Sequence, residues 1–327
     1  MSRRPILVCG LTAVSARLAY AALIRRPPAG AKTWTRTNHR GEPVTLLEGP
    51  AVIAGALAGT LIAPGLSARR RAALAVAGAG AGAFGCYDDL AGSGARRGFR
   101  GHLGALARGE VTSGAVKLGG IGITGLAAAA TLGGTAADQL INAGLVAGGA
   151  NLLNLFDLRP GRAIKVTLAA ALVGSGSPAG RACAAVPLGA ALALLPEDLA
   201  ERAMLGDAGA NALGAMLGAA AAGAWPRPAR AAALAAIVGL TAASEAVSFT
   251  KVIERTPPLR WLDMLGRRPV ARPAASSAAA SSAAAGPAGA SGAEGAAGTT
   301  LAPAERGSPD RGSTPAAAAG PAAAAPL

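Results

Sequence analysis

The sequence predicts an all-α fold, a polytopic membrane helix bundle of about nine to ten transmembrane helices. Three observations predict it: the composition, a series of long apolar runs, and the distribution of Lys and Arg between those runs. Apolar residues make up 52% of the 327 residues and charged residues only 15%, whereas soluble domains carry about 25% charged residues. The balance therefore favours a membrane protein over a soluble domain.

Each predicted span is an apolar run close to the length of about 20 residues that crosses a bilayer as a helix. The first run follows Arg3 and Arg4 as in a signal peptide, but no small-residue cleavage site precedes Arg25, so we expect a retained helix. The nine runs lie at 6–24, 50–66, 72–86, 115–132, 140–155, 164–176, 183–195, 208–224 and 231–252. Their many Gly and Ala residues predict close helix packing.

Lys and Arg flanking these runs predict the orientation, because cytoplasmic loops carry more of them. The loops at 25–40, 96–108 and 159–165, together with Arg202, hold 13, and 7 were counted on the opposite face. The exceptions on that opposite face are Arg3, Arg4, Arg69, Arg70, Arg71, Arg227 and Arg230. We therefore expect a multi-pass protein of the cell membrane with residues 1–270 as its membrane domain. Residues 271–327, rich in Ala, Ser, Gly and Pro, are predicted to be a disordered tail.

Charge and composition also limit the partners. A net charge of +14 could indicate nucleic acid, but aromatic residues make up only 3% and the basic residues alternate with spans. This pattern favours an anionic lipid or a nucleotide at the membrane over nucleic acid. The three Cys residues lack metal-binding spacing and are predicted to be small core residues. The excess of Ala, Gly and Arg is typical of a GC-rich genome and is consistent with an actinobacterial source.

Three acidic motifs stand where apolar runs end or begin. They are Asp88-Asp89, then Asn151, Asn154 and Asp157 at a spacing of three, then Asp207 between Gly206 and Gly209. A charged side chain at the centre of a membrane helix costs about 2.5 to 3.5 kcal/mol on insertion scales, so acids gathered at one face predict a polar cavity. Carboxylates suit a divalent cation such as Mg²⁺.

Each motif also has a simpler interpretation. Asp88 and Asp89 could form a structural ion network with neighbouring Arg residues, and Asp207 could cap a helix. The spacing of Asn151 and Asn154 puts both on one helix face, with Asp157 less well aligned. Their amides suit recognition of a polar base or sugar. The charge bias puts all three motifs on the cytoplasmic side.

The order of these motifs resembles the polyprenyl-phosphate N-acetylhexosamine-1-phosphate transferases and phospho-N-acetylmuramoyl-pentapeptide transferases. The segment 38–49 also resembles their first cytoplasmic loop, and the resemblance covers about residues 5–265. It implies transfer of a sugar 1-phosphate from a UDP-sugar to a membrane polyprenyl phosphate, with Mg²⁺ and release of UMP, in cell-wall biogenesis. A homodimer is one assembly that the sequence permits.

The resemblance implies roles for individual residues. Asp88 matches the aspartate that orients or deprotonates the attacking lipid phosphate, Asp89 supports that site, and Asp207 binds magnesium. Asn154 and Asp157 match residues that line the nucleotide and catalytic cleft, and Asn151 joins them as a substrate-binding candidate. Candidates for holding the lipid phosphate are Lys117, Arg97, Arg100 and Arg162.

The chain departs from the family pattern at several positions. Ala210 stands where the third motif usually continues with Ser, and Leu158 stands where Gly follows the second motif. The His-rich motif of the last cytoplasmic loop is replaced by the segment 254–263. The alternative hypothesis is therefore a catalytically inactive relative that acts as a membrane scaffold, or a small transporter.

Overall fold

The computed structural model describes residues 3–91 and 112–269. The candidates Arg97 and Arg100 and the predicted tail lie outside these described residues. The described part consists of twelve helices and one short hairpin, so the fold is all-α as predicted. The elements are α1 (Arg4–Arg25), α2 (Ala31–Trp34), β1 (Thr35–Thr37), β2 (Pro43–Thr45), α3 (Glu48–Ile62), α4 (Ala68–Ala91), α5 (Ser113–Leu132), α6 (Ala136–Phe156), α7 (Arg162–Gly174), α8 (Pro178–Leu199), α9 (Gly206–Ala224), α10 (Arg227–Ser244), α11 (Phe249–Arg255) and α12 (Pro257–Met264).

Each of the nine apolar runs coincides with a helix, but the last run was extended too far. Helix α10 ends at Ser244 and the chain bends by 93° before α11, so the expected continuous span over 231–252 is wrong. By length and composition, three helices of the described part could cross a membrane alone: α1, α5 and α8. The bent pair α10–α11 would make a fourth.

Large apolar side chains on the outside of the bundle fit a lipid environment. Ile6 is 77% exposed, Leu172 71%, Ile123 68% and Leu140 67%, and these four residues belong to four different helices. Soluble monomers rarely expose extended apolar patches. The apolar helices and their exposed side chains together indicate a membrane protein.

Helix α9 lies at the centre of the bundle, where it packs mainly against α4 and α6. These contacts depend on glycine. A side chain on Gly214 would meet the backbone of Gly149, and one on Gly85 would meet the backbone of Asp207. Small residues let membrane helices approach at backbone distance. The close approach at Gly85 brings the end of α4 against the start of α9, which carry the first and third acidic motifs.

The β1–β2 hairpin covers the same end of the bundle. Its strands pair antiparallel from Thr35–Thr45 to Thr37–Pro43, and Thr45 also forms a parallel bridge with Ala203 just before α9. Arg36 in β1 donates a hydrogen bond to the backbone carbonyl of Asp89. The hairpin is therefore fixed to the segments that carry two of the acidic motifs.

Candidate functional site

One lysine joins the first and third acidic motifs. The Nζ atom of Lys117, in the second turn of α5, lies 3.3 Å from Oδ2 of Asp88 and also contacts Oδ2 of Asp207. The side chains of Lys117, Asp88 and Asp207 are 12%, 19% and 25% exposed, so this Lys117 cluster is partly buried and still open to a ligand. The two carboxylates converge as the sequence predicted.

Asp89 contacts backbone instead of facing the cluster. Its Oδ1 accepts a hydrogen bond of 3.0 Å from the amide of Asp207, and its Oδ2 accepts one of 2.9 Å from the amide of Ala208. These amides belong to the first turn of α9, where N–H groups lack partners within the helix. Asp89 therefore caps α9 from another helix and fixes Asp207 next to Lys117.

The glycine before Asp207 is required by this cap. Gly206 has φ +60°, and a Cβ there would lie 2.8 Å from Oδ2 of Asp89. Gly206→Ala should therefore lower the free energy of unfolding by about 2 kcal/mol or more, because the left-handed conformation alone costs about 1 to 2 kcal/mol. Thermal unfolding in detergent measures the effect.

The matched control for Gly206→Ala is Gly119→Ala. Gly119 lies within helix α5, and a Cβ at this position would meet nothing within 4 Å. Alanine is the better helix former by about 0.8 to 1 kcal/mol, so this variant should melt at or above the wild-type temperature. Equal melting temperatures for the two variants would contradict the described cap.

A small cavity extends the Lys117 cluster towards the second motif. It has a volume of about 170 Å³, and its walls include Asp88, Lys117, Asn151, Asn154 and Glu245. The spacing of three in α6 does put Asn151 and Asn154 side by side, as predicted. The cavity also touches the end of α10, so four helices meet around it.

Asp157 does not share this cavity. Helix α6 ends at Phe156, and Asp157 is its C-cap residue with φ −79° and ψ 48°. Because this backbone conformation is not helical, Asp157 does not continue the helix face that carries Asn151 and Asn154. It lines a second and larger cavity of about 600 Å³. This volume is within the range of small-molecule sites, about 300 to 1,000 Å³. The motif thus contributes to two adjacent cavities.

The larger cavity contains polar residues that the sequence analysis did not select. Its walls include Asn38, His39, Arg159, Asp198 and Glu201. Among these residues, Asn38 donates a hydrogen bond of 3.0 Å to Glu201. Burial lowers the pKa of His39, although Glu201 opposes this change. One signal was available: three acids, Glu197, Asp198 and Glu201, precede the third motif in a chain with only 17 acidic residues.

Arg162 was a candidate for holding the lipid phosphate, but its guanidinium binds other residues of the protein. Its Nε and Nη2 donate hydrogen bonds of 2.7 and 3.1 Å to the two carboxylate oxygens of Asp263, and its Nη1 donates one of 2.9 Å to Thr250. Arg162 is only 3% exposed. It holds α11 and α12 against α7, so its guanidinium is already engaged within the protein.

The Lys117 cluster also offers a test of whether magnesium fits. Asp88 and Asp207 supply carboxylate oxygens, the ligand type that Mg²⁺ prefers, and both contact one cationic group, the Lys117 ammonium. Within the described residues, no three His, Cys, Asp or Glu side chains are arranged as a metal-binding group. Two protein carboxylates still fit, because Mg²⁺ is commonly bound by one or two carboxylates plus substrate phosphates.

These features describe a mainly α-helical protein that has helices able to span a membrane and a polar site at one end of its bundle. Comparison with known proteins adds no family, since no protein-family model and no curated protein matches the chain.

Proposed function

We propose that the protein transfers a sugar 1-phosphate from a UDP-sugar to a membrane polyprenyl phosphate, with release of UMP, in cell-envelope synthesis. One observation carries the proposal: Asp88, Lys117 and Asp207, from three separate helices, meet in one partly buried cluster. Helix capping does not explain why Asp88 and Asp207 both contact Lys117, because Asp89 already caps α9.

The reaction requires two phosphate groups to meet despite their like charge. An oxygen of the lipid phosphate attacks the phosphorus next to the sugar, the bond from that phosphorus to the bridging oxygen breaks, and UMP leaves with the bridging oxygen. In such reactions catalysis depends mainly on positioning and on neutralising charge. The Lys117 ammonium supplies one positive charge for the lipid phosphate. Asp88, which lies beside Lys117, orients the lipid phosphate for attack.

The two cavities suit two different substrates. The small cavity contains Leu118 and Leu155 beside Asp88 and Lys117, which suits a phosphate attached to an apolar chain. The large cavity beneath the hairpin contains Asn38, Arg159 and Asp157, which suits the base, ribose and sugar of the donor. Asn151 and Asn154 belong to the small cavity, so in this arrangement they contact the reacting phosphates or the sugar.

Magnesium would be held by Asp207 and Asp88 together with phosphate oxygens of the donor. When bound, it would neutralise charge on the diphosphate. The Lys117 ammonium contacts both carboxylates, and it can turn towards the lipid phosphate on its flexible stem. The motif end of the bundle would face the cytoplasm, where UDP-sugars are made.

The test is UMP release by the full-length protein in detergent, with undecaprenyl phosphate, Mg²⁺ and a panel of UDP-sugars. Turnover that requires both lipid and metal would support the transferase and identify its donor. Tight nucleotide binding without turnover would indicate that the correct donor was not in the panel. Well-folded protein that neither binds UDP-sugar nor releases UMP would overturn the proposal in favour of a noncatalytic membrane protein.

Lys117→Gln separates the two substrates kinetically. Loss of a charged hydrogen bond costs about 1.5 to 3 kcal/mol, so we expect the KM for polyprenyl phosphate to rise about tenfold or more. The KM for the UDP-sugar should change much less. Initial rates at varied concentrations of each substrate measure both constants, and an equal rise in both would contradict the assignment of Lys117 to the lipid phosphate.

A further inference from the structure

A third cavity, which also has polar walls, lies at the opposite end of the same helices. It has a volume of about 510 Å³ and lies between the start of α4, the α5–α6 connection, the end of α9 and the start of α10. Arg70 in this cavity and Asp88 in the Lys117 cluster are 18 positions apart on α4, or about 27 Å along a helix. The cavity is therefore separate from the proposed transferase site.

Arginines dominate the walls of this third cavity, which we call the arginine cavity. Arg69, Arg70 and Arg230 line it, and the acidic residue in the walls is Asp138. Asp138 accepts hydrogen bonds from the hydroxyl and amide of Thr135 as well as one of 2.9 Å from Arg230. One carboxylate is thus shared among several donors, and the cavity keeps an excess of positive charge.

Among the described residues, all three of these arginines have hydrogen-bond donors without a partner. The Nε of Arg70 donates a hydrogen bond of 2.8 Å to the carbonyl of Gly223. Its Nη1 and Nη2 atoms have no hydrogen-bond partner among the described residues. Arg69 is exposed, and its guanidinium has no hydrogen-bond partner within that same part of the chain. The buried Nε of Arg230 is also unpaired among the described residues. Unpaired guanidinium groups around a cavity suit a phosphate.

The neighbouring Arg71 serves as a structural contrast. It donates hydrogen bonds to the carbonyls of Thr60 and Ala63 at the end of α3, which explains its presence at this end of the bundle. Arg69 and Arg70 belong to the same group of arginines that contradict the charge bias of the loops. No comparable capping role accounts for Arg69 within the described residues.

An apolar cavity adjoins the arginine cavity. It has a volume of about 190 Å³ and is lined by apolar residues of α6, α7, α8, α9 and α10, among them Leu145, Leu153 and Ile237. Trp225 lines both cavities. A molecule with a charged head between the arginines could therefore extend an apolar chain past Trp225 into the bundle.

We propose that this end of the protein binds the phosphate of a lipid, with Arg69, Arg70 and Arg230 holding the phosphate and its apolar chain following the Trp225 side. The shared chemistry is a phosphate group, from a lipid or from free phosphate, and the adjoining apolar cavity favours the lipid. This site goes beyond the proposed transfer reaction and does not depend on it, because its residues lie at the other end of the helices.

The experiment uses tryptophan fluorescence of the full-length protein in dodecyl maltoside. The chain has three Trp residues, so Trp34→Phe and Trp261→Phe together leave Trp225 as the single reporter. The probe is phosphatidic acid with dibrominated acyl chains, whose bromines quench a nearby indole. Dibrominated phosphatidylcholine reports ordinary lipid contact, and inorganic phosphate serves as competitor.

The charge variant is Arg69→Gln with Arg70→Gln, and the matched control is Arg181→Gln. Arg181 lies in the first turn of α8, outside the arginine cavity, and its substitution removes one positive charge, as Arg69→Gln alone does. We expect saturable quenching by phosphatidic acid, with a Kd raised about tenfold to thirtyfold in the double variant and unchanged in Arg181→Gln. If the double variant is poorly folded, Arg69→Gln alone should still raise the Kd severalfold.

Other outcomes would overturn the proposal. Equal quenching by phosphatidylcholine and phosphatidic acid would show ordinary lipid contact at Trp225. Full displacement by millimolar inorganic phosphate would make free phosphate the ligand. A Kd that does not change in the arginine variants would remove these side chains from the site. None of these readouts uses UMP release, so failure here is distinguishable from failure of the proposed transferase.

Discussion

Asp207→Asn should lower the rate of UMP release by about two to three orders of magnitude while leaving the melting temperature near that of the wild type. Loss of a preorganised charged group at a reacting centre has a cost of this size. Stability should be preserved because Asp89 binds the backbone amides of Asp207 and Ala208, which the substitution keeps. The Asp207 side chain instead contacts Lys117, so the variant separates chemistry from folding.

The control for Asp207→Asn is Glu254→Gln. Glu254 is exposed on α11 and lies outside the Lys117 cluster, so it loses the same charge without touching the site. Asp88→Asn should resemble Asp207→Asn, and the double variant should be little worse than either, because residues that act as a unit are not additive. An Asp207→Asn protein that keeps a third or more of the wild-type rate would exclude Asp207 from the reaction.

The second large effect concerns stability. Asp263→Asn should lower the free energy of unfolding by about 3 to 5 kcal/mol, the cost of breaking a buried ion pair by removing one partner. The side chains of Arg162 and Asp263 are 4% and 6% exposed, and Arg267 also lies 2.8 Å from the Asp263 carboxylate. The substitution would leave two largely buried guanidinium groups without a counter-charge.

With Cys9 and Cys86 replaced by Ser, a thiol-reactive fluorescent dye can follow this unfolding, because the remaining Cys183 is buried and should react when the bundle opens. The control is Glu42→Gln, which removes a second bidentate pair with Arg268 at the surface. Both partners there are more than 40% exposed, so this loss should be at most about 1 kcal/mol. Similar melting temperatures for the two variants would contradict a structural role for the Arg162–Asp263 pair.

The same ion pair predicts a pH dependence. Burial opposes ionisation of Asp263, but the hydrogen bonds and charges of Arg162 and the neighbouring cations outweigh it and lower the pKa of this carboxyl. The lowered pKa contributes stability that is present above the unfolded pKa of about 3.9 and is lost as the pH falls through the folded value. Melting curves from pH 6 to pH 2 should therefore show, below about pH 4, a steeper fall for wild type than for Asp263→Asn.

The positions of the helices could be predicted from the sequence because apolar runs directly determine which segments leave water. Hydropathy also explains why the run at 231–252 was predicted as one span. The break contains Ala246 and Val247 between Glu245 and Ser248. The two helices taken together are still apolar enough to cross a membrane, so average hydropathy does not mark the bend of 93°. The packing of Phe249 on Phe156, with ring centroids 5.0 Å apart, and the hydrogen bond from Arg162 to Thr250 hold α11 in its new direction.

The candidate site could be predicted in part. Asp88 and Asp207 were recognisable because acids at the ends of apolar runs are costly and therefore informative. The cap formed by Asp89 and the partner of Arg162 depend on contacts between residues more than 100 positions apart, which no local pattern encodes. The larger cavity was missed because Asn38 and Glu201 come from a hairpin and a connecting segment that carry no periodic signal.

The central helix α9 has a consequence for how the protein enters its membrane. Of its 19 residues, 14 are buried, and 11 of these 14 are Ala or Gly. It is absent from the helices of the described part that are apolar enough to cross alone. A lone helix of this kind gains little from lipid. Its main partners α4 and α6 precede it in the chain, so they are synthesised first. We therefore expect α9, with Asp207 in its first turn, to insert between helices that are already in the membrane and to pack against them instead of against lipid.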